Sequence, residues 1–165
     1  TGKRFEEDIK KSIPDYALLY RISDSAQSFG NNSALRFSRK NPFDFILWDS
    51  RKHILYALEL KTVAGKSISF ERTKEDHGEI HYHQISGLEL WDHYDGTKCG
   101  FIIEFRELER TVFISISEFN KLISAIPKKS FNFTDLQTNN IEYNLIRQNK
   151  VRTRYAYDIG GFLEN

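Results

Sequence analysis

The chain of 165 residues has one cysteine, no methionine and three prolines. A single cysteine, Cys99, excludes an internal disulfide and any cysteine-rich zinc site. No apolar run approaches the roughly 20 residues of a membrane-spanning helix, and the N-terminus has no apolar signal-peptide core. We therefore expect a cytoplasmic protein with no membrane contact. Because the initiator methionine is absent, we also expect residues that precede Thr1.

The net charge is also small, because 24 lysines and arginines are balanced by 23 aspartates and glutamates. A protein that coats nucleic acid without selectivity is strongly basic, so DNA binding here would need local clusters of cations. Hydrophobic residues, at 39%, and aromatic residues, at 14%, are abundant enough for a sizeable core in a chain of this length. We expect one domain over residues 1–165.

Two apolar runs, residues 42–48 and 54–60, flank a short polar break, which is typical of a β-hairpin. If the hairpin is symmetric about the point between residues 51 and 52, Asp44 on the first strand faces Glu59 on the second. Side chains alternate along a strand, so Lys61 leaves the same face as Glu59. The sequence thus predicts two carboxylates and an ammonium on one face.

Charged groups on such apolar strands resist burial unless they pair with each other or hold a cation. A hard dication such as Mg²⁺, bound by Asp44, Glu59 and several waters, meets that need. Lys61 is better placed to orient the attacking water or to stabilise developing negative charge. Phosphodiester hydrolysis requires these groups. A salt bridge on a solvated sheet face is the alternative, and spacing alone does not separate the two.

Two further residues are candidates for the same pocket. The apolar spacing predicts a helix over residues 2–13, in which Glu6 follows the core-facing Phe5 and is a possible accessory ligand of metal or water. A second helix is predicted over residues 84–94, where Gln84 could face the carboxylates and hold a water or a phosphate.

A polar, glycine-bearing segment over residues 23–41 is long for a simple connection. Its cations Arg36, Arg39 and Lys40 lie among aromatic and aliphatic residues, which suits phosphate contact and base stacking. A solvated loop with no partner is the alternative. A second basic and aromatic patch, residues 150–157, either completes a DNA-binding face or is a solvated terminal segment.

Residues 62–83 carry two short patterns. Gly65, Lys66 and Ser67 imitate the end of a nucleotide-binding loop, but a leucine stands where the first glycine should be, so we reject that site. Lys66 and Ser67 instead either touch a DNA phosphate or line an exposed turn. His77 and His81 have the spacing of a zinc pair, but no cysteine joins them, and we interpret them as surface or capping residues.

Strands and helices alternate in the second half of the chain. Strands are predicted at residues 99–105 and 111–116, and Ser115 with Glu118 forms a capping box for a helix that ends at Ala125. This alternation predicts an α/β core. Residues 128–165 remain unassigned.

The order of these elements, with Pro42-Phe43-Asp44 followed by Glu59-Leu60-Lys61, resembles the PD-(D/E)XK nuclease superfamily. The surrounding residues resemble the RecU-type Holliday junction resolvases of bacteria and their phages over about residues 2–123. These surrounding residues are Gly2, Phe5, Glu6, Thr62, Lys66, Ser67, Ser69, Phe70, His83, Gln84 and the strand 100–105.

The resemblance implies a restriction-endonuclease-like core, with a mixed central β-sheet flanked by helices, in a single nuclease domain. It implies a homodimer that uses Mg²⁺, or Mn²⁺ as a substitute, to cut two opposed strands of a four-way DNA junction. Asp44, Glu59 and the backbone carbonyl of Leu60 would bind the metal, and Lys61 would serve catalysis. Glu6 and Gln84 would be accessory catalytic residues.

The family's stalk, which enters the junction, corresponds to residues 23–41, a segment that is short here, whereas residues 71–81 form a long insertion. Both departures concern substrate geometry. Two alternatives stay open: another nuclease of the superfamily, of restriction or repair type, and a junction-binding recombination accessory module without catalysis.

Overall fold

The structure is a computed structural model that describes residues 2–23 and 40–165. This part of the chain forms five α-helices, ten strands and a short 3₁₀ helix at Arg106–Leu108. The α-helices are α1 (Gly2–Lys11), α2 (Tyr82–Asp92), α3 (Ile116–Ala125), α4 (Phe133–Thr138) and α5 (Ile159–Leu163). The strands are β1 (Ala17–Arg21), β2 (Phe45–Asp49), β3 (Ile54–Val63), β4 (Ile68–Ser69), β5 (Thr97–Phe105), β6 (Arg110–Ser115), β7 (Ser130–Phe131), β8 (Asn144–Ile146), β9 (Gln148–Val151) and β10 (Arg154–Tyr157).

A six-stranded sheet runs in the order β1-β2-β3-β5-β6-β8. β3 and β5 are parallel, and the other neighbouring strands are antiparallel. The chain between β3 and β5 includes α2, as a parallel connection requires a crossover. The predicted α/β core with a mixed sheet flanked by helices is therefore confirmed. No helix in the described part of the chain has both the length and the apolar character needed to cross a bilayer.

The sheet is covered on both faces, and β3 supplies side chains to each. Tyr56, Leu58 and Leu60 pack in a cluster with residues of α1 and α5. Ala57 and Val63 pack in the other cluster, with residues of α2 and α3. Because side chains alternate along a strand, the odd-numbered residues between Ala57 and Val63 face α2.

The β2–β3 hairpin has the predicted register. Phe45 lies opposite Leu58, and the backbone N–H of Asp44, directly before β2, donates to the carbonyl of Leu58 at 3.2 Å. Continuing this register places Asp44 opposite Glu59. His53 closes the turn in the left-handed region, at a φ of 55°.

Helix α2 packs closely on the segment that leads into Asp44. A Cβ on Gly87 would lie 2.4 Å from the Cβ of Pro42, so the helix comes this near only because Gly87 has no side chain. The rings of Phe43 and Trp91 meet edge to face at 5.0 Å. The Glu71 carboxylate accepts from the backbone N–H of Tyr82 at 2.7 Å, so α2 begins at Tyr82, two residues before the predicted start.

Helix α3 ends at Ala125, as predicted, but only half of its predicted capping box forms. The Ser115 hydroxyl accepts from the backbone N–H of Glu118 at 3.2 Å. The Glu118 carboxylate is hydrogen-bonded elsewhere, since it accepts from the backbone N–H of Glu142 at 2.8 Å.

The unassigned residues 128–165 extend the fold. β8 adds a strand beside β6, and the β9–β10 hairpin packs on α1. Arg154 donates to the buried carboxylate of Asp8 at 2.6 Å, and the hydroxyl of the buried Tyr157 donates to Glu104 at 3.0 Å. These two members of the basic and aromatic patch therefore make internal contacts, which a purely solvated segment would not.

Candidate active site

The structure brings four of the predicted site residues together on the α2 face of the sheet. Glu59 and Lys61 lie on β3, Asp44 precedes β2, and Gln84 lies in the first turn of α2. The backbone N–H of Leu60 points at an Asp44 carboxylate oxygen, at 3.5 Å. The hairpin and the crossover helix therefore converge on one carboxylate pair.

Glu59 is the most deeply buried member, with 2% of its surface exposed. Its Oε1 accepts from Gln84 Nε2 at 2.5 Å and lies 3.1 Å from Lys61 Nζ. Its Oε2 is buried and has no hydrogen-bond partner in the described part of the chain. A buried carboxylate oxygen without a partner is rare and is costly when the group is charged.

Burial is the main cause that raises the pKa of Glu59, to about 8. The positive charge of Lys61 opposes this shift, while the nearby carboxylate of Asp44 adds to it. Without a further cation, Glu59 is therefore mostly protonated at neutral pH.

The residues present fit a hard dication. Asp44 and Glu59 offer carboxylate oxygens, one of them unpartnered, and a magnesium ion is commonly held by one or two carboxylates together with waters. Among residues 2–23 and 40–165, no group of three or more His, Cys, Asp or Glu side chains could surround one ion. A bound ion would thus need water, DNA oxygens or a backbone carbonyl, such as that of Leu60, to complete its ligands.

Lys61 is held from two sides. Its Nζ donates to the backbone carbonyl of Glu79 at 2.8 Å and to Glu59 at 3.1 Å. An ammonium has three protons, so one is left over for a water or a phosphate oxygen. The site therefore contains an oriented cationic donor beside the carboxylates.

Gln84 has both polar ends occupied. Its amide nitrogen donates to Glu59, and its amide oxygen accepts from the backbone N–H of His81 at 2.9 Å. These contacts assign the orientation of the amide and tie the beginning of α2 to β3. Gln84 faces the pocket, as the sequence suggested, but its contacts suit a positioning role for Glu59 better than direct binding of water.

Glu6 lies on α1, which packs on the opposite face of the sheet, and it forms an ion pair with Arg21 at 3.3 Å. Its role as an accessory ligand stays a prediction. Lys66 and Ser67 are exposed in the turn before β4, and Lys40 is exposed beside the site, so their contacts with DNA also stay predictions. The remaining predicted DNA-binding residues, Arg36 and Arg39, and residues 24–39 of the stalk-like segment lie outside the described residues.

Glu71, His81 and His83 also lie near the carboxylates, a proximity that the sequence reasoning did not identify. His81 is the residue directly before α2 and occupies the N-cap position, but its side chain bonds to Glu71. Glu71 contacts it across ten positions of irregular chain, where no periodic pattern predicts proximity.

The mixed sheet, the helices on both its faces and the hairpin with its carboxylates define a restriction-endonuclease-like fold. Among the solved structures similar to this chain is that of Hjc, a Holliday junction resolvase from the archaeal hyperthermophile Archaeoglobus fulgidus. The TM-score is 0.50 at 12% sequence identity, and the match covers 83% of this chain and 93% of that chain.

At this identity the likeness shows the fold. No protein-family model matches the chain, and no curated protein matches it. The resemblance to the RecU type in particular therefore stays a prediction.

Proposed function

We propose that the chain is a single-domain, Mg²⁺-dependent DNA endonuclease that resolves four-way junctions by hydrolysing phosphodiester bonds, with Mn²⁺ as a possible substitute ion. The observation that carries this proposal is the buried Glu59 carboxylate, which has an unpartnered oxygen and lies beside Asp44 and Lys61. The fold shared with an archaeal junction resolvase supports the same reading.

In this proposal Asp44 and Glu59 hold the ion, with the backbone carbonyl of Leu60 as a third protein ligand. The bound ion would supply Lewis-acid polarisation of the phosphate and lower the pKa of a bound water. Lys61 directs its remaining proton at the attacking water or at a phosphate oxygen, where negative charge develops. Gln84 keeps the Glu59 carboxylate aimed at the site.

The substrate contacts in this proposal are those expected from the sequence. Lys40, Lys66 and Ser67 bind DNA phosphates, together with Arg36 and Arg39, and Glu6 acts as an accessory group. A four-way junction has two opposed strands to cut, and a two-fold homodimer would place one site on each.

The proposal is tested by cleavage of a labelled four-way junction and of a plain duplex of the same sequence, with Mg²⁺ or with EDTA. We expect symmetric cuts in the junction with Mg²⁺, no cuts with EDTA and little cutting of the duplex. Asp44→Asn, Glu59→Gln and Lys61→Ala should each lower the rate by about 100-fold or more. Glu104→Gln is the matched control, because Glu104 is a buried carboxylate of the same sheet bonded to Tyr157 and Thr62.

The alternatives give different results in the same assay. Equal cutting of junction and duplex would favour a restriction or repair nuclease of the same superfamily. Junction binding without cleavage in Mg²⁺, with binding unchanged in Asp44→Asn, would favour the accessory module and overturn the enzymatic proposal.

A further inference from the structure

Three side chains that the proposed mechanism does not use form a connected group at the start of α2. One Glu71 oxygen accepts from His81 Nδ1 at 2.9 Å, and the other accepts from the backbone N–H of Tyr82 at 2.7 Å. The rings of His81 and His83 stack at 5.4 Å with planes 11° apart. We call Glu71, His81 and His83 the histidine cluster.

Burial alone would raise the pKa of Glu71, but hydrogen bonds from His81, Tyr82 and Gly78 outweigh burial and lower it to about 2. Glu71 is therefore a charged carboxylate at neutral pH. With Nδ1 of His81 directed at that carboxylate, Nε2 is the ring atom left for a ligand. The His81 side chain is 46% exposed, so a ligand can reach it.

The histidine cluster lies against the candidate active site. The backbone N–H of His81 is bonded to Gln84, whose other end holds Glu59. Lys61 donates to the carbonyl of Glu79, two residues before His81.

His83 faces several charged groups. Burial lowers its pKa first, the positive charges of His81, Lys40 and Lys61 lower it further, and Glu71 acts in the opposite direction. The ammonium groups of Lys40 and Lys61 are thus near enough to His83 to lower its pKa.

This arrangement suits an oxyanion better than a metal ion. Two nearly parallel rings do not direct their nitrogens at one point, and in the described part of the chain no group of three or more His, Cys, Asp or Glu side chains could surround an ion. An anion beside the two imidazole rings would be attracted by the ammonium groups of Lys40 and Lys61, which both act on His83. A phosphodiester has two non-bridging oxygens, which can accept from separate donors.

We propose that His81 and His83, with His81 oriented by Glu71, bind a DNA phosphodiester adjacent to the one that is cut. This inference rests on the proposed function and adds a second phosphate position to the same site. The ring N–H groups donate to the non-bridging oxygens, and DNA binding takes up protons on the imidazoles.

The wild-type chain tests this directly, without any risk of misfolding. Its five histidines can be followed by NMR while pH is varied, with and without a junction DNA, in EDTA so that no strand is cut. The DNA phosphate should shift the ring resonances of His81 and raise the pKa of His83 by about one unit or more. His93, at the other end of α2, is the internal control and should not change.

Variants provide the second measurement. His81→Ala and His83→Ala should bind junction DNA about 10-fold more weakly at pH 6, with a salt slope lower by about one and a weaker pH dependence of binding. Glu71→Gln should reduce the pH dependence of DNA binding more than it reduces the affinity for DNA. His93→Ala should behave as wild type.

Two negative results are distinguishable. In the first, the resonances of His81 and His83 do not change when DNA is added, and the variants bind DNA like His93→Ala, while the wild type still cuts junctions. This result overturns the inference and leaves the proposed function standing. If the wild type neither binds nor cuts DNA, both are overturned.

Discussion

Glu59 shows, at the scale of a single residue, how a folded chain can favour a cation. The strand that carries it is buried on both faces, so its carboxylate is removed from water. Gln84 and Lys61 satisfy one oxygen, and the other is unpartnered in the described part of the chain. Burial and the adjacent Asp44 then raise the pKa of the group. A divalent ion would offset both effects.

Metal binding should therefore release a proton. With a pKa raised to about 8, Glu59 is mostly protonated at pH 7, and it must lose its proton to become a ligand. We expect Mg²⁺ binding without DNA to release about one proton at pH 7 and almost none at pH 10. Calorimetry in two buffers that differ in ionisation enthalpy measures this number.

The control for this measurement is Glu59→Gln, which should release no proton at either pH. Metal binding by the wild type at pH 7 with no proton released would contradict the prediction.

Gln84 should set how tightly the ion is held. Gln84→Ala removes the amide that holds Glu59 Oε1 and leaves the His81 N–H without its acceptor. Groups that orient metal ligands typically contribute about 10- to 100-fold in affinity or activity. We expect the Mg²⁺ concentration for half-maximal cleavage to rise by that factor.

Gln148→Ala serves as the matched control for Gln84→Ala, because its amide bonds to Thr111 near the far edge of the sheet. An unchanged Mg²⁺ requirement in Gln84→Ala would show that the amide does not support the metal site.

At the scale of elements, the approach of α2 to the hairpin determines the depth of the site. Gly87→Ala would put a methyl group against Pro42, two residues before Asp44. Overpacking of this kind typically destabilises a protein by about 1–3 kcal/mol. We expect a lower free energy of unfolding in urea and slower cleavage, because the helix and Gln84 must move outward.

Gly65→Ala is the matched substitution, since a Cβ there meets nothing within 4 Å. It should leave both stability and cleavage unchanged. Equal free energies of unfolding for Gly87→Ala and Gly65→Ala would mean that α2 accommodates the added methyl group beside Pro42 without strain.

Sequence reasoning succeeded where contacts are local. The hairpin register was predictable because a short turn joins two strands of clear pattern, and this placed Asp44 opposite Glu59. The beginning of α2 was displaced by two residues because Glu71, a distant carboxylate, caps it. The strands β9 and β10 were not predicted. β9 is largely polar and exposed, so it lacks the apolar pattern of a strand. Arg154, on β10, contacts Asp8, which lies 146 positions earlier in the sequence.

At the scale of the whole molecule, the end of the chain fastens onto its beginning. Arg154 bonds to Asp8 and Glu7 on α1, and Lys52 in the hairpin turn donates to the carbonyl of Leu163 at 2.7 Å. The C-terminal elements thus support the face of the sheet opposite to the candidate site.

We expect a two-fold homodimer that cuts both strands of a junction, because one site can reach only one strand at a time. Sedimentation at micromolar concentration should give twice the 19.4 kDa mass of the chain. Mixing wild type with excess Asp44→Asn should yield mixed dimers that nick one strand without resolving the junction. A monomer, with resolution unaffected by mixing, would contradict this prediction.

The separation of the site residues along the chain has a consequence for how the protein folds. Asp44 and Glu59 are joined by a local hairpin, whereas Gln84 arrives through a crossover connection. Short loops close at a smaller entropic penalty, so we expect the acid pair to meet first and the amide of α2 to join later. A partly synthesised chain that ends before α2 would then hold both acids but no Gln84 to position them.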